Sequence, residues 1–133
     1  MARRLKTPSA YFIAVLLVAI AFFVGTSLFN YRTQHESLVK WNSPDETANY
    51  FFANRLATEV VIAQFEEANI VASDLVMPRS MRSDNGWLKP VSFLGLIILY
   101  GHLGALISPI IIPYLTPFFG ALGIIFFFLF LRR

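Results

Sequence analysis

The sequence predicts an all-α membrane protein with about three transmembrane helices and, after the first, an outer loop holding an amphipathic helix and a small β-hairpin. Three observations carry this reading. Residues 7–31 and 90–131 contain no Asp, Glu, Lys or Arg, and each stretch exceeds the roughly 20 apolar residues that a helix needs to cross a hydrocarbon core of ~30 Å. All eight acids, from Glu36 to Asp84, fall between those two stretches. The composition, 56% hydrophobic and 14% charged with a mean hydropathy of +0.61, suits lipid as the solvent.

The N-terminal residues 1–7 carry Arg3, Arg4 and Lys6, and residues 132–133 are both Arg. The loop, residues 31–90, sets six basic residues (Arg32, Lys40, Arg55, Arg79, Arg82, Lys89) against the eight acids. By the positive-inside rule the N-terminus is cytoplasmic and the loop lies outside the plasma (inner) membrane. The first span, residues 8–30, opens with Pro8 in a tolerated first-turn position and places Tyr11 and Tyr31 near the two interfaces. It is too long for a signal-peptide core and lacks a small-x-small cleavage site, so it reads as an uncleaved anchor. Gly25, Thr26 and Ser27 are either a helix-packing patch or incidental small residues of a plain anchor.

In the loop, Ser43-Pro44-Asp45-Glu46 opens a helix that runs to about Thr58, because Ser43 can cap, Pro44 fits the first helical position and Glu46 completes a capping-box pattern. Its i+4 rows Ala48/Phe52/Leu56 and Ala53/Ala57 form one apolar face, with Asn49, Arg55 and Thr58 assigned to the opposite side. Val60-Val61-Ile62 is β-branched and expected to be extended. Met81-Arg82-Ser83 and Trp87-Leu88 flank Asp84-Asn85-Gly86, a hairpin signal. The apolar stretch 90–131 is too long for one pass, since its 42 residues as one helix would extend ~63 Å. Ser108-Pro109 and Pro113 divide it into a transmembrane hairpin of residues 91–107 and 114–131. Two passes place Arg132 and Arg133 outside, against the charge rule, and length is given more weight than a chain end.

Composition removes several chemistries. Without cysteine there is no disulfide framework, thiolate nucleophile or thiolate zinc site. No basic stripe stands apart from the membrane flanks, so nucleic acid is not an expected partner, whereas membrane lipids are. His102, deep in an apolar stretch, and His35 lack acids nearby in sequence, and no metal site is read from them. Two groups remain. Asp45 and Glu46 are either first-turn acids favoured by the helix dipole, or a general base for an acceptor hydroxyl. Arg79, Arg82 and Lys89 are either an interfacial belt meeting lipid headgroups, or a clamp for a phosphate leaving group.

The run Trp41-Asn42-Ser43-Pro44-Asp45-Glu46-Thr47-Ala48-Asn49-Tyr50-Phe51-Phe52-Ala53-Asn54-Arg55-Leu56-Ala57, just after an N-in span, resembles the first outer loop of GT-C membrane glycosyltransferases. These include the lipid-phosphate-sugar-dependent mannosyl and aminoarabinose transferases. Val71-Ala72-Ser73-Asp74-Leu75-Val76-Met77-Pro78-Arg79-Ser80-Met81, then Gly86 and Pro90-Val91-Ser92-Phe93-Leu94-Gly95, is similar to the segment leading into that group's second span. The resemblance implies a multi-spanning enzyme that moves a sugar from a polyprenyl-phosphate carrier to an acceptor hydroxyl at the outer face. It places the catalytic acid at Asp45 with Glu46 beside it, and supports the three-span count. It implies no cofactor and leaves a divalent metal open. Relatives often carry His where Met77 stands. They also have many more spans, so the resemblance is to an N-terminal part, inactive alone, whose partners are the remaining spans or another membrane subunit. The alternative from a different class is a small non-enzymatic membrane protein serving a complex, with Gly101-His102-Leu103-Gly104-Ala105 as a helix-packing surface.

Overall fold

The computed structural model describes residues 10–33 and 43–132. Arg3, Arg4, Lys6, Pro8, His35, Glu36, Lys40, Trp41, Asn42 and Arg133, all named above, lie outside the described residues. The chain divides into two compact units, Met1–Arg32 with Tyr114–Arg133, and Thr33–Pro113.

The first unit is a pair of apolar helices. Helix α1, Ala10–Thr33, has 24 residues, a rise of about 36 Å. Its partner is the C-terminal helix Ile112–Leu131, which continues a 3-10 turn at Pro109–Ile111. Both are long and apolar enough to cross a membrane, and only 6% and 11% of their most apolar windows are buried within the protein. Helices that keep such surface uncovered match lipid better than the core of a soluble protein. The pair is antiparallel: Phe12 meets Phe128 with ring centroids 6.2 Å apart, and Phe23 meets Phe118 edge-on at 6.5 Å. Gly120 makes room for the Phe22 ring, since a Cβ there would come within 2.7 Å of it. Gly25 has open space around it, and Thr26 turns its hydroxyl back to the Phe22 carbonyl at 2.6 Å. Of the glycines on the two helices, Gly120 rather than Gly25 is the one that admits a side chain of its partner, and Ala19 is the buried residue of α1. Antiparallel packing gathers Tyr11, Phe128, Leu131 and Arg132 around one notch of about 380 Å³, so Arg132 sits at the end where α1 begins.

The second unit is built on two helices packed together. Helix α2, Pro44–Glu59, begins at Ser43 with Pro44 in its first turn, as the sequence predicts. The capping box does not form; Ser43 makes no side-chain cap, and its carbonyl instead accepts from the Thr47 amide at 3.1 Å and hydroxyl at 3.2 Å. Ala48, Phe52, Ala53 and Leu56 are buried, but so is Asn49. Asn49 heads the i+4 row of Ala53 and Ala57, so helical geometry places it on the apolar side rather than opposite. Arg55 is partly exposed and pairs with Glu59 one turn on. The helix ends on Val60 in the left-handed region, φ 59°, so the expected extension at residues 60–62 gives way to a helix cap.

Against this face packs the helix Leu94–Leu106, with Ile97, Tyr100, Gly101 and Gly104 buried along it. A Cβ at Gly101 would lie 2.6 Å from Leu56, and one at Gly104 3.0 Å from Ala57 and 2.9 Å from Ile112. The Gly101 to Ala105 patch is thus a packing surface used within the chain. The helix has 13 residues, about 20 Å, against a core of ~30 Å. Pro90 ends a strand and Phe93 is non-helical, which removes the first residues of the expected span 91–107, while Ser108-Pro109 breaks the run where the sequence predicts. Of the expected transmembrane hairpin of 91–131 one helix reaches spanning length, so that with α1 two helices among the described residues are long and apolar enough to cross a membrane, and the third expected span corresponds to the shorter apolar helix Leu94–Leu106.

Between α2 and that short helix the chain forms β1, Gln64–Phe65, then α3, Glu67–Val71, and the strands β2, Met81–Asp84, and β3, Trp87–Pro90. The short helix is accordingly α4 and the C-terminal one α5. The hairpin turns at Asn85 (φ 49°) and Gly86 (φ 79°), as read from the sequence. The expected two-stranded unit gains β1, giving an antiparallel sheet of order β1-β3-β2.

Candidate functional site

The structure brings two distant pieces of sequence together at the start of α2. Ser80 Oγ donates to Asp45 Oδ1, joining residues 35 positions apart. Pro44 fixes the first turn, so Asp45 projects from the helix start and stays exposed. Ser80 arrives from a tight turn in which the Met81 amide donates to the Pro78 carbonyl at 3.2 Å. Ser80, the third residue of the turn, adopts φ 70°, the positive value that a type II turn has there; for a non-glycine residue this costs on the order of 1 kcal/mol. The Val91 amide, donating to the Ser80 carbonyl at 3.3 Å, ties the turn to the end of β3. Arg79 occupies the outer corner of the turn, exposed and next in sequence to the residue that touches Asp45.

The other predicted residues divide. Arg82 and Lys89 face each other as direct partners across β2 and β3, on the exposed side of the sheet. Lys89 is engaged by Asp84, Nζ to Oδ2 at 2.7 Å. Among the described residues, Arg79 and Arg82 make no ion pair. Glu46 is exposed beside Asp45. His102 is exposed, with Nδ1 2.7 Å from the Ile98 carbonyl of its own helix. Among the described residues no three His, Cys, Asp or Glu side chains gather as a metal site.

Sequence reasoning passed over Asp74, the most heavily bonded acid among the described residues. Its carboxylate accepts from Ser83 Oγ at 2.5 Å and from the backbone amides of Gly86 and Asn85, each at 2.8 Å. The Ser83 hydroxyl, then the Gly86 and Asn85 amides, hold its pKa below the ordinary 3.8, against the opposing pull of burial. Asp74 itself has φ 61° and donates its amide to the Asn69 carbonyl at 2.8 Å. Every carboxylate oxygen is committed to holding the β2–β3 turn, which suits a structural brace. The only sequence signal for it was an Asn-Gly turn whose amides needed an acceptor.

Comparison of the chain with protein-family models, with curated proteins and with solved structures gives no match.

Proposed function

We propose that the chain is the membrane-anchored N-terminal part of a glycosyltransferase that takes a sugar from a polyprenyl-phosphate carrier at the outer membrane face, resembling the GT-C enzymes. The observation that carries the reading is the Asp45–Ser80 contact. It joins the Pro-Asp-Glu helix start to the Pro-Arg-Ser turn, the two segments on which the resemblance rests. In this reading the acceptor hydroxyl attacks the anomeric carbon, its proton passes to Asp45, and the bond from that carbon to the carrier phosphate breaks. The phosphate departs with the bonding pair as polyprenyl phosphate. Arg79 is the first cation to receive it, and Arg82 lies free to follow. Lys89 contributes only on leaving Asp84.

The helix pair supports a simple topology for this reading. The two helices of spanning length return Arg132 to the end where α1 begins, and the positive-inside rule, applied to that pair, assigns both basic ends to the cytoplasmic side; the third span of the resemblance then has no counterpart of spanning length among the described residues. The transferase reading also calls for membrane neighbours, either further spans or another subunit. Leu94, Leu99 and Leu106 of α4 are about half exposed or more and are the apolar surface available to meet them. The same surface would serve the second reading, a non-enzymatic membrane subunit.

The test is sugar transfer in membranes from cells carrying Asp45→Asn in the chromosomal gene. Loss of a positioned base lowers transfer by about 10²–10⁴-fold. Unchanged transfer, with the variant present at wild-type level, would remove Asp45 from the chemistry and leave the subunit reading.

A further inference from the structure

The body between the spans carries an apolar projection that the transferase reading does not use. Ile70, Val71, Leu75, Val76 and Met77 are all more than half exposed, Val71 at 87% and Leu75 at 81%. Exposed apolar side chains at this density in one short segment are unusual for a surface in water. Its one acid, Asp74, is turned inward onto Ser83, Asn85 and Gly86, so no free carboxylate interrupts the apolar tip. The backbone is also provided for. The amides of Ala72, Ser73, Asp74 and Leu75 donate to the carbonyls of Ala68, Ile70, Asn69 and Ala72, which lowers the cost of carrying them into a medium poor in water.

The projection continues onto the sheet. A Cβ at Gly86 would touch both Ile70 and Phe65, and Phe65 packs edge-on against Trp87 at 5.2 Å. Both rings remain about two-fifths exposed. Two cations border this surface without an ion pair among the described residues: Arg79, two residues after Met77, and Arg82, on the same strand face as Asp84 opposite Trp87. An apolar tip, an aromatic shoulder and two arginines, with the exposed Glu66 and Glu67 set back at the start of α3, complement one medium, the interface of a bilayer with anionic phosphate headgroups.

We propose that residues 70–77 insert into the outer interface of the membrane, with Phe65 and Trp87 at headgroup depth and Arg79 and Arg82 on lipid phosphates. This docking sets the depth of the body against the bilayer. It does not depend on the transferase reading, although it would bring Arg79 to the level where a carrier phosphate lies.

The absence of cysteine makes a single introduced thiol unique. The full chain carrying Leu75→Cys, and separately Thr58→Cys as an exposed control on α2, is reconstituted in vesicles of phosphatidylcholine and phosphatidylglycerol without polyprenyl phosphate. Labelling is followed with a charged maleimide and with a lipid-soluble one. The expected result is that the charged reagent labels the Leu75→Cys chain about tenfold more slowly than the Thr58→Cys chain, while the lipid-soluble reagent reacts readily with the Leu75→Cys chain. Equal rates with the charged reagent would overturn the proposal. So would protection of the Leu75→Cys thiol from both reagents, which would mean that protein and not lipid covers the tip. Because no polyprenyl phosphate is present, either outcome is independent of whether Asp45 takes part in transfer. A fold check comes from Trp87 emission in a Trp41→Phe background, where quenching by lipids brominated near the headgroup is expected and lack of quenching counts against insertion.

Discussion

Asp74 and Asp45 sit in the same compact body, and each accepts from a serine, nine residues away for Asp74 and 35 for Asp45, but they are used in opposite ways. Asp74 accepts from one hydroxyl and two backbone amides and holds a turn closed. Among the described residues Asp45 accepts from Ser80 alone, and it projects from the first turn of a helix and is exposed. A carboxylate whose lone pairs are committed has no capacity left to take a proton from a substrate, whereas one with a single partner has. Availability, more than the presence of an acid, marks the candidate site.

The comparison breaks most easily through chemistry. Asp45→Asn is expected to lower transfer by about 10²–10⁴-fold while leaving thermal unfolding close to wild type, and Asp74→Asn to lower activity only in proportion to the folded fraction. If the two variants lose activity alike, the distinction fails. Next in size is the seat that holds the Asp45 helix. Phe52 is fully buried in the α2–α4 contact, so Phe52→Ala should cost about 3–5 kcal/mol in reversible unfolding in detergent and displace Asp45 and Ser80 together.

Acid pH sharpens the contrast. Because folding depresses the pKa of Asp74, its contribution is complete above the ordinary value of 3.8 and is lost as pH falls through the lower folded value. Hydrogen exchange at the Asn85 and Gly86 amides should therefore accelerate only below pH 3.8 in the wild type. In Asp74→Asn it should be faster already at neutral pH and lack that acid step. A smaller effect is expected at the other corner. Ser80→Ala removes the hydroxyl that restrains Asp45 and should cost about 0.5–1.5 kcal/mol. Ser80→Gly loses the same bond but relieves the positive φ, so it should be the more stable of the two. Smallest is Glu59→Gln, which removes the Arg55 pair and should change stability by about 0.3–0.5 kcal/mol.

What the sequence made legible follows its physical signals. Pro44 after Ser43 marked the start of α2 to the residue, and Asn85-Gly86 marked the hairpin, since both rest on local backbone constraints. β1 and α3 were missed because two strand residues and one helical turn are too short to show a period. The break at Ser108-Pro109 was legible, but the start of α4 was not, because the charge-free run from Pro90 gives no signal that the residues up to Phe93 are non-helical. Asp45 and the nearby arginines could be named from residue type and resemblance. Their partners could not: the Asp45–Ser80 bond, the Lys89–Asp84 pair and the Asp74 brace depend on tertiary placement.

The most direct test of the central claim is binding of polyprenyl phosphate to the chain in nanodiscs, followed by the phosphorus resonance of the carrier. The account predicts that wild type, Asp45→Asn and Asp74→Asn shift that resonance, and that Arg79→Ala with Arg82→Ala weakens binding by about tenfold or more. Binding that is unchanged in the arginine variant, or no stronger for polyprenyl phosphate than for polyprenol, would contradict it.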